Sequence, residues 1–318
     1  MSKAAAIKTG LNRTTLSDQS EMKILLLGKN GQVGWELQRS LSTFGEVIAL
    51  DRNSENGFCG DLGNVESLRQ TVRALAPDVI VNAAAYTAVD KAESENAKAQ
   101  TINADAVQAL AQEALTLNSL LVHYSTDYVF DGSGDTPWRE SDAVAPVNTY
   151  GATKLAGEQA ITASGCRHLI FRTSWVYAAK GNNFARTMLA LAKDRAELKV
   201  IADQVGAPTG ADLIADVTAI AIRQAVGRDD FSGIYHLAAA GFTTWCEYAG
   251  LVIDFGRAAG MTLVNERVTP IPTEQYPTPA RRPLNSRLNT EKLCRTFSIH
   301  LPSWQVGVTR MLKEVTEK

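Results

Sequence analysis

Cysteine and histidine are scarce in this chain of 318 residues, with four of each. Cys59, Cys166, Cys246 and Cys294 lie far apart and form no CxxC pair, and no two histidines share an HxxxH spacing. That excludes zinc-ribbon and dithiol redox chemistry, and isolated thiols fit a reducing cytoplasm. No apolar run approaches the ~20 residues that a membrane-spanning helix needs. An excess of positive charge is also missing. Lys and Arg total 32 against 34 Asp and Glu, a net charge of -2, which argues against a general nucleic-acid binder. One phosphorylated small molecule held by a few local groups stays compatible with that balance. With 45% hydrophobic and 21% charged residues, the chain is neither disordered nor fibrous. Its length suffices for one large domain or two modest ones, at about 100–200 residues per domain.

Residues 1–21 show no sustained apolar periodicity, and the apolar stretch AAAI at 4–7 is too short for a secretory core. Ordered patterning starts at Met22, so 1–21 is expected to be a leader or tag ahead of the fold. Ile24 to Leu27 then reads as a buried parallel strand that runs directly into Gly28-Lys29-Asn30-Gly31-Gln32-Val33-Gly34. A helix is expected from Trp35 to Phe44. Glycines at this spacing, between a strand and a helix, allow a tight turn, a close approach to a pyrophosphate and close helix–strand packing. The helix start adds free N–H groups and a favourable dipole. The next strand, Val47 to Leu50, ends in Asp51, 20 residues after Gly31, where a carboxylate can receive the adenosine ribose hydroxyls. Asp51 favours NADH, whereas the neighbouring Arg52 and Lys29 can accommodate the 2′-phosphate of NADPH, so either cofactor is expected. Asp61-Leu62 is placed to face adenine, or else Asp61 caps the helix near 65–75.

Asp78 to Asn82 forms another strand, and the small residues Ala83-Ala84-Ala85 before Tyr86 leave room for a flat ligand against backbone. A long helix is expected over 95–117, and a strand over 120–124 leads to Thr126. Tyr150 and Lys154 stand four residues apart on a helix continuing to about 163, which places both side chains on one face. An adjacent ammonium is expected to lower the tyrosine's pKa toward working pH. Such a tyrosine can protonate a carbonyl oxygen while hydride arrives at carbon, with the Thr126 hydroxyl polarising the same carbonyl.

Together these segments resemble the dTDP-4-dehydrorhamnose reductase family of the extended short-chain dehydrogenases/reductases, from Met22 to Lys318. The resemblance rests on GKNGQVGWEL at 28–37, VNAAAYTAVDKAE at 81–93, YSTDYVFDG at 124–132, PVNTYGATKLAGE at 146–158, FRTSWVY at 171–177, DQVGAPT at 203–209 and PARRPLNSRL at 279–288. It implies an α/β fold, a Rossmann-type doubly wound parallel sheet with a smaller C-terminal substrate-binding domain. It also implies NAD(P)H-dependent reduction of a dTDP-linked 4-keto sugar, with Thr126, Tyr150 and Lys154 as the catalytic set. Asn103 and Tyr124 join the cofactor shell, and Asp127, Trp175 and Arg282 the substrate shell. The family's dimers suggest a homodimer with magnesium between Glu36, Asp212 and Glu314. Asp127 is followed by Tyr128 rather than the glutamate of the related 4,6-dehydratases, which suits a simple carbonyl reductase. The alternatives are a reductase of another nucleotide 4-keto-6-deoxy sugar and a non-catalytic regulatory subunit. Retention of the whole Thr/Tyr/Lys set speaks against the latter.

The expected organisation is a dinucleotide-binding domain over 22–178 and a mainly substrate-binding portion over 179–318, with segments returning to the sheet. Further strands are read near 170–176 and 199–201, and helices near 183–192 and 213–226. Five prolines between Thr269 and Pro283 predict a loop or irregular lid with no element running through it, ending in Arg281 and Arg282. One or the other arginine is expected to contact the substrate pyrophosphate, unless the two form a solvated charge pair. Deleting residues 1–21 should leave the thermal unfolding midpoint and the activity unchanged, and loss of either would refute the leader assignment.

Overall fold

The computed structural model describes residues 21–316, so the expected leader falls outside the described residues except for Glu21. Six strands form one sheet: β1 (Met22–Leu27), β2 (Gly45–Leu50), β3 (Val79–Asn82), β4 (Leu120–Thr126), β5 (His168–Thr173) and β6 (Gly233–His236). They run in the order β2-β1-β3-β4-β5-β6, and every neighbouring pair is parallel. Parallel strands need crossovers, and these are supplied mainly by helices. The longer ones are α1 (Gln32–Leu41), α2 (Val65–Leu75), α3 (Ala106–Leu117), α4 (Thr149–Ser164), α5 (Phe184–Asp194), α6 (Ala211–Ala225), α7 (Trp245–Ala258) and α8 (Trp304–Thr316).

Alternation along β1 divides the core. Ile24 and Leu26 pack with Leu37 of α1 and Ile214 and Ile222 of α6. Leu25 and Leu27 pack with Leu68 of α2 and Leu110 of α3. Burial on both faces explains why the central strands read as continuous apolar runs. The strand order reverses between β1 and β3, which opens a crevice at the carboxyl ends of the strands. Among the described residues, no helix is long and apolar enough to cross a membrane.

Beyond the sheet, Glu197–Ile201 pairs in parallel with Arg267–Ile271. Leu189 of α5, Val252 of α7 and Leu312 of α8 share an apolar cluster with Leu198 and Trp304. The proline-rich segment is therefore not wholly irregular, since a strand carrying Pro270 occupies its start. This pair has only two strands, so proline can sit at an edge that needs no N–H donor.

Three further boundaries differ from expectation. α1 begins at Gln32 rather than Trp35, because Gly31 already serves as its N-cap. The helix expected over 95–117 is present from Asn96 to Leu117, but it is not uniform: Asn96–Gln100 leads into a wide π turn at Thr101–Asp105 and then α3. β5 stops at Thr173, and Trp175 adopts a left-handed conformation with φ of 49°.

Glu158 of α4 and Arg172 of β5 form a bidentate ion pair (Nε–Oε1 2.9 Å, Nη2–Oε2 2.6 Å), each side chain no more than 3% exposed. Arg172 also lies over the Phe130 ring, 5.1 Å from its centroid. Glu158→Ala leaves a buried guanidinium uncompensated and should destabilise the protein by about 3–5 kcal/mol. Urea unfolding checks this, and an unchanged midpoint would show that the pair contributes no net stability.

Candidate active site

The glycine turn leaves β1 at its carboxyl end, on the crevice side of the sheet. Gly28 has φ of 88°, and a Cβ there would lie 2.8 Å from the backbone nitrogen of Ala84. A Cβ on Gly34 would lie 2.1 Å from the carbonyl oxygen of Gly28. Backbone thus meets backbone at both positions, and only glycine fits. At Gly31 the nearest atom would be 3.4 Å away, so internal packing does not demand glycine there. No side chain caps α1, so its first N–H groups are left without a capping partner, as an anion-binding helix start requires. The cradle therefore fits a dinucleotide pyrophosphate at Gly28, Asn30, Gly31, Gln32, Val33 and Gly34.

Asp51 follows β2 and accepts hydrogen bonds from the Asn53 N–H (2.7 Å) and the Asn30 side chain. Lys29 is paired with Glu55, while Arg52 is exposed beside Asp51. Leu62 is buried, and Asp61 accepts from the Gly63 N–H at 2.9 Å. The cap of α2 is Asn64, which accepts from Ser67, so Asp61 does not serve that purpose.

Ala83, Ala84 and Ala85 line the exit of β3, and Tyr86 beyond them is pinned by Asn103. The Asn103 side chain accepts from the Tyr86 N–H (2.9 Å) and donates to the Tyr86 carbonyl (3.1 Å) and to the Thr153 hydroxyl (3.2 Å). The π turn carries Asn103 into this position, joining the β3 exit to α4. Such widened turns recur at functional sites because they re-aim one side chain.

α4 starts at Asn148, whose side chain accepts from the Gly151 N–H at 2.8 Å and donates to the Arg281 carbonyl at 2.8 Å. The first turn of α4 abuts the turn after β4, where a Cβ on Gly151 would lie 2.1 Å from the Tyr128 carbonyl oxygen. That contact brings Tyr150 up to Thr126. Burial holds the Tyr150 phenol up at about 12, a hydrogen bond with Thr126 works the other way, and the Asp127 charge adds to the rise. The expectation that Lys154 lowers this pKa is not met: burial dominates, and the lysine is not among the groups that shift the phenol. Lys154 itself is pushed down to about 8 by burial, against the pull of Glu158. Its ammonium nitrogen lies 2.6 Å from the Tyr124 carbonyl oxygen and 3.2 Å from Nε2 of His123. Tyr124 turns its own hydroxyl toward Thr218 at 2.8 Å.

The Thr126 hydroxyl donates to Asp127 Oδ1 at 3.1 Å. Asp127 is pushed up to about 7 by burial, and its Oδ2 has no hydrogen-bond partner. Arg282 donates to Asp90 Oδ2 at 2.9 Å, and its buried Nη1 has no partner, whereas Arg281 is exposed. Trp175 stacks on Trp245 with ring centroids 3.6 Å apart, and Phe184 packs against Trp245 in turn.

Glu36, Asp212 and Glu314 come into one neighbourhood, where Asp212 and Glu314 help burial to raise the Glu36 carboxyl. Arg310 stands between the other two, 3.3 Å from Asp212 and 3.4 Å from Glu314. No group of three or more His, Cys, Asp or Glu among the described residues is placed to hold a metal. The Arg310 guanidinium already pairs with two of the carboxylates expected to hold magnesium.

Sequence reasoning passed over Asn82, His123, Asn148 and Trp245. Asn148 carried the signal of an N-cap before a helix. The other three are recruited by strand register or distant packing, which no local pattern reports.

Residues 22–317 match the family model described as the RmlD substrate binding domain. The chain is 60% identical over 294 residues to dTDP-4-dehydrorhamnose reductase of Escherichia coli strain K12, covering 92% of this chain and 98% of that protein. It is 49% identical to the enzyme of the same name from Burkholderia thailandensis, covering 92% and 99%. The solved dTDP-4-dehydrorhamnose reductase of Bacillus anthracis, in complex with NADP, superposes with a TM-score of 0.83 at 33% identity, covering 92% and 99%. The glycine cradle, the Thr126–Tyr150–Lys154 convergence and these likenesses span one and the same stretch of chain, which belongs to the dTDP-4-dehydrorhamnose reductase family of oxidoreductases.

Proposed function

We propose that this protein reduces the 4-keto group of dTDP-4-dehydro-L-rhamnose to dTDP-L-rhamnose, using NADPH or NADH, with Tyr150 as proton donor. The observation that carries the reading is the convergence of Thr126, Tyr150 and Lys154 at the carboxyl end of β4. That strand lies two places from the glycine turn in a sheet whose order reverses between β1 and β3.

A bound nicotinamide cofactor supplies the hydride. The N–H groups of α1 and the glycine cradle hold its pyrophosphate. Asp51 receives the adenosine ribose, Arg52 faces a 2′-phosphate, and Asp61 and Leu62 flank adenine. Ala83, Ala84, Ala85, Tyr86, Asn103 and Tyr124 shape the inner wall, and Lys154 holds the nicotinamide ribose. NADP in the Bacillus anthracis relative supports NADPH as a cofactor.

For reduction, the acid must keep its proton until the carbonyl oxygen gains charge. A phenol is already protonated at neutral pH, and burial of Tyr150 reinforces this by disfavouring the phenolate. Thr126 shares the carbonyl oxygen with Tyr150. Asp127 and Trp175 border the sugar, and Arg282 faces the substrate pyrophosphate with its unpartnered Nη1.

Oxidation of NADPH and NADH, followed at their absorbance with dTDP-4-dehydro-L-rhamnose, tests the proposal. Wild type should turn over, and Tyr150→Phe should lose about 100-fold or more. No turnover by wild type, or equal turnover by the variant, would defeat it. Arg282→Ala should raise KM for the nucleotide sugar roughly tenfold while leaving cofactor affinity unchanged. Arg281→Ala, whose side chain is exposed, should leave KM as it is. An unchanged KM in Arg282→Ala would remove that residue from the substrate site.

A further inference from the structure

Two fully buried polar side chains beneath the catalytic set have no part in the proposed reaction. Asn82 at the end of β3 and His123 in β4 are register partners, 1% and 0% exposed. Their hydrogen bonds have a direction that can be worked out from one end. The Ala84 N–H lies 3.2 Å from Asn82 Oδ1. A backbone N–H can only donate, so the atom facing it is the amide oxygen. The Asn82 NH2 group therefore points at Nδ1 of His123, 3.2 Å away, and donates to it. With Nδ1 as acceptor, a neutral imidazole carries its proton on Nε2. His123 is neutral, since burial alone pushes it below the usual histidine range. Nε2 faces Nζ of Lys154 at 3.2 Å.

An Nε2–H meeting an ammonium sets two donors against each other. A neutral amine resolves the conflict, because its lone pair accepts from Nε2–H while one of its protons goes to the Tyr124 carbonyl at 2.6 Å. We infer that Asn82 and His123 are positioning residues that fix the polarity of the hydrogen bond at Lys154 and favour its neutral amine over the ammonium. The inference rests on the reading of Lys154 as part of the reductase site. Its consequence is that Lys154 changes charge within the working pH range instead of remaining a standing cation.

The other charged or titratable groups near Nζ pull in known directions. Glu158, one turn further along α4, favours the ammonium, but its carboxylate is engaged by Arg172 of β5. Tyr150 on the same helix stays protonated, and so does Tyr128 beyond it, whose pKa burial raises. Asp127 after β4 is directed to Thr126. None of them supplies an acceptor at the position that His123 occupies.

Spectra of the full chain with 15N-labelled histidine, without cofactor, read the tautomer directly, and the His123 signal is identified by its loss in His123→Gln. A protonated Nε2 with an unprotonated Nδ1 is expected, and the reverse tautomer would overturn the inference. Asn82→Asp reverses the chain of donors. A carboxylate accepts from both the Ala84 N–H and Nδ1–H, leaving an Nε2 lone pair for the ammonium. The alkaline limb of kcat/KM for NADPH, which in wild type should fall near the Lys154 value of about 8, should then rise by about one unit. His123→Gln, which can turn its amide oxygen to Nζ, should move it the same way. A limb that stays or moves down in Asn82→Asp would overturn the inference. Failure of wild type to oxidise NADPH would count against the reductase reading alone, since the tautomer is measured without cofactor or substrate.

Discussion

The site depends on how closely α4 approaches the carboxyl edge of the sheet. A Cβ at Gly151 would lie 2.1 Å from the Tyr128 carbonyl oxygen, and one at Gly157 would lie 2.3 Å from that of Asn103. Two helix glycines let backbone rest on backbone, one against the turn after β4 and the other against the π turn. Glycine within a helix costs roughly 1 kcal/mol relative to alanine, so close packing must offset that loss. The approach places Tyr150 beside Thr126 and sinks Lys154 beneath the sheet edge. It also brings Thr153 within reach of Asn103.

Desolvation is the second consequence of that packing. The same burial holds the Tyr150 proton in place, raises Asp127 and lowers Lys154. Each shift disfavours the charged form, so Tyr150 stays protonated while Asp127 and Lys154 titrate closer to neutral pH than free side chains do. A reductase needs a proton donor that is still protonated when charge develops on the substrate oxygen. Burial of the phenol, rather than a cation beside it, sets the direction of its shift.

Different residues were legible to different degrees. Gly28 and Gly34 announced a turn between strand and helix, and their structural role is the steric one such spacing implies. Asp51 at the end of β2 could be placed by counting. The helix over 95–117 is legible in its apolar spacing, but that spacing gives no hint that one turn widens where Asn103 takes the backbone of Tyr86. Asp61 was a fair candidate for a cap, yet Asn64 stands closer to the first turn and takes that place. Trp175 was noticed, but its partner Trp245 lies 70 residues away in the chain, and its left-handed backbone could not be read from a tryptophan.

What the sequence determined by itself was the alternation of apolar strands with amphipathic helices, the glycine turn, and the four-residue spacing of Tyr150 and Lys154. Those are local properties, set by side-chain periodicity and backbone sterics over a few residues. Tertiary structure alone decided which carboxylates, amides and imidazoles surround them. It set Arg310 between Asp212 and Glu314, Glu158 against Arg172, and His123 between Asn82 and Lys154. Protonation depends on water exclusion and on neighbours within a few ångströms, and strand register and helix packing bring those neighbours from distant parts of the chain.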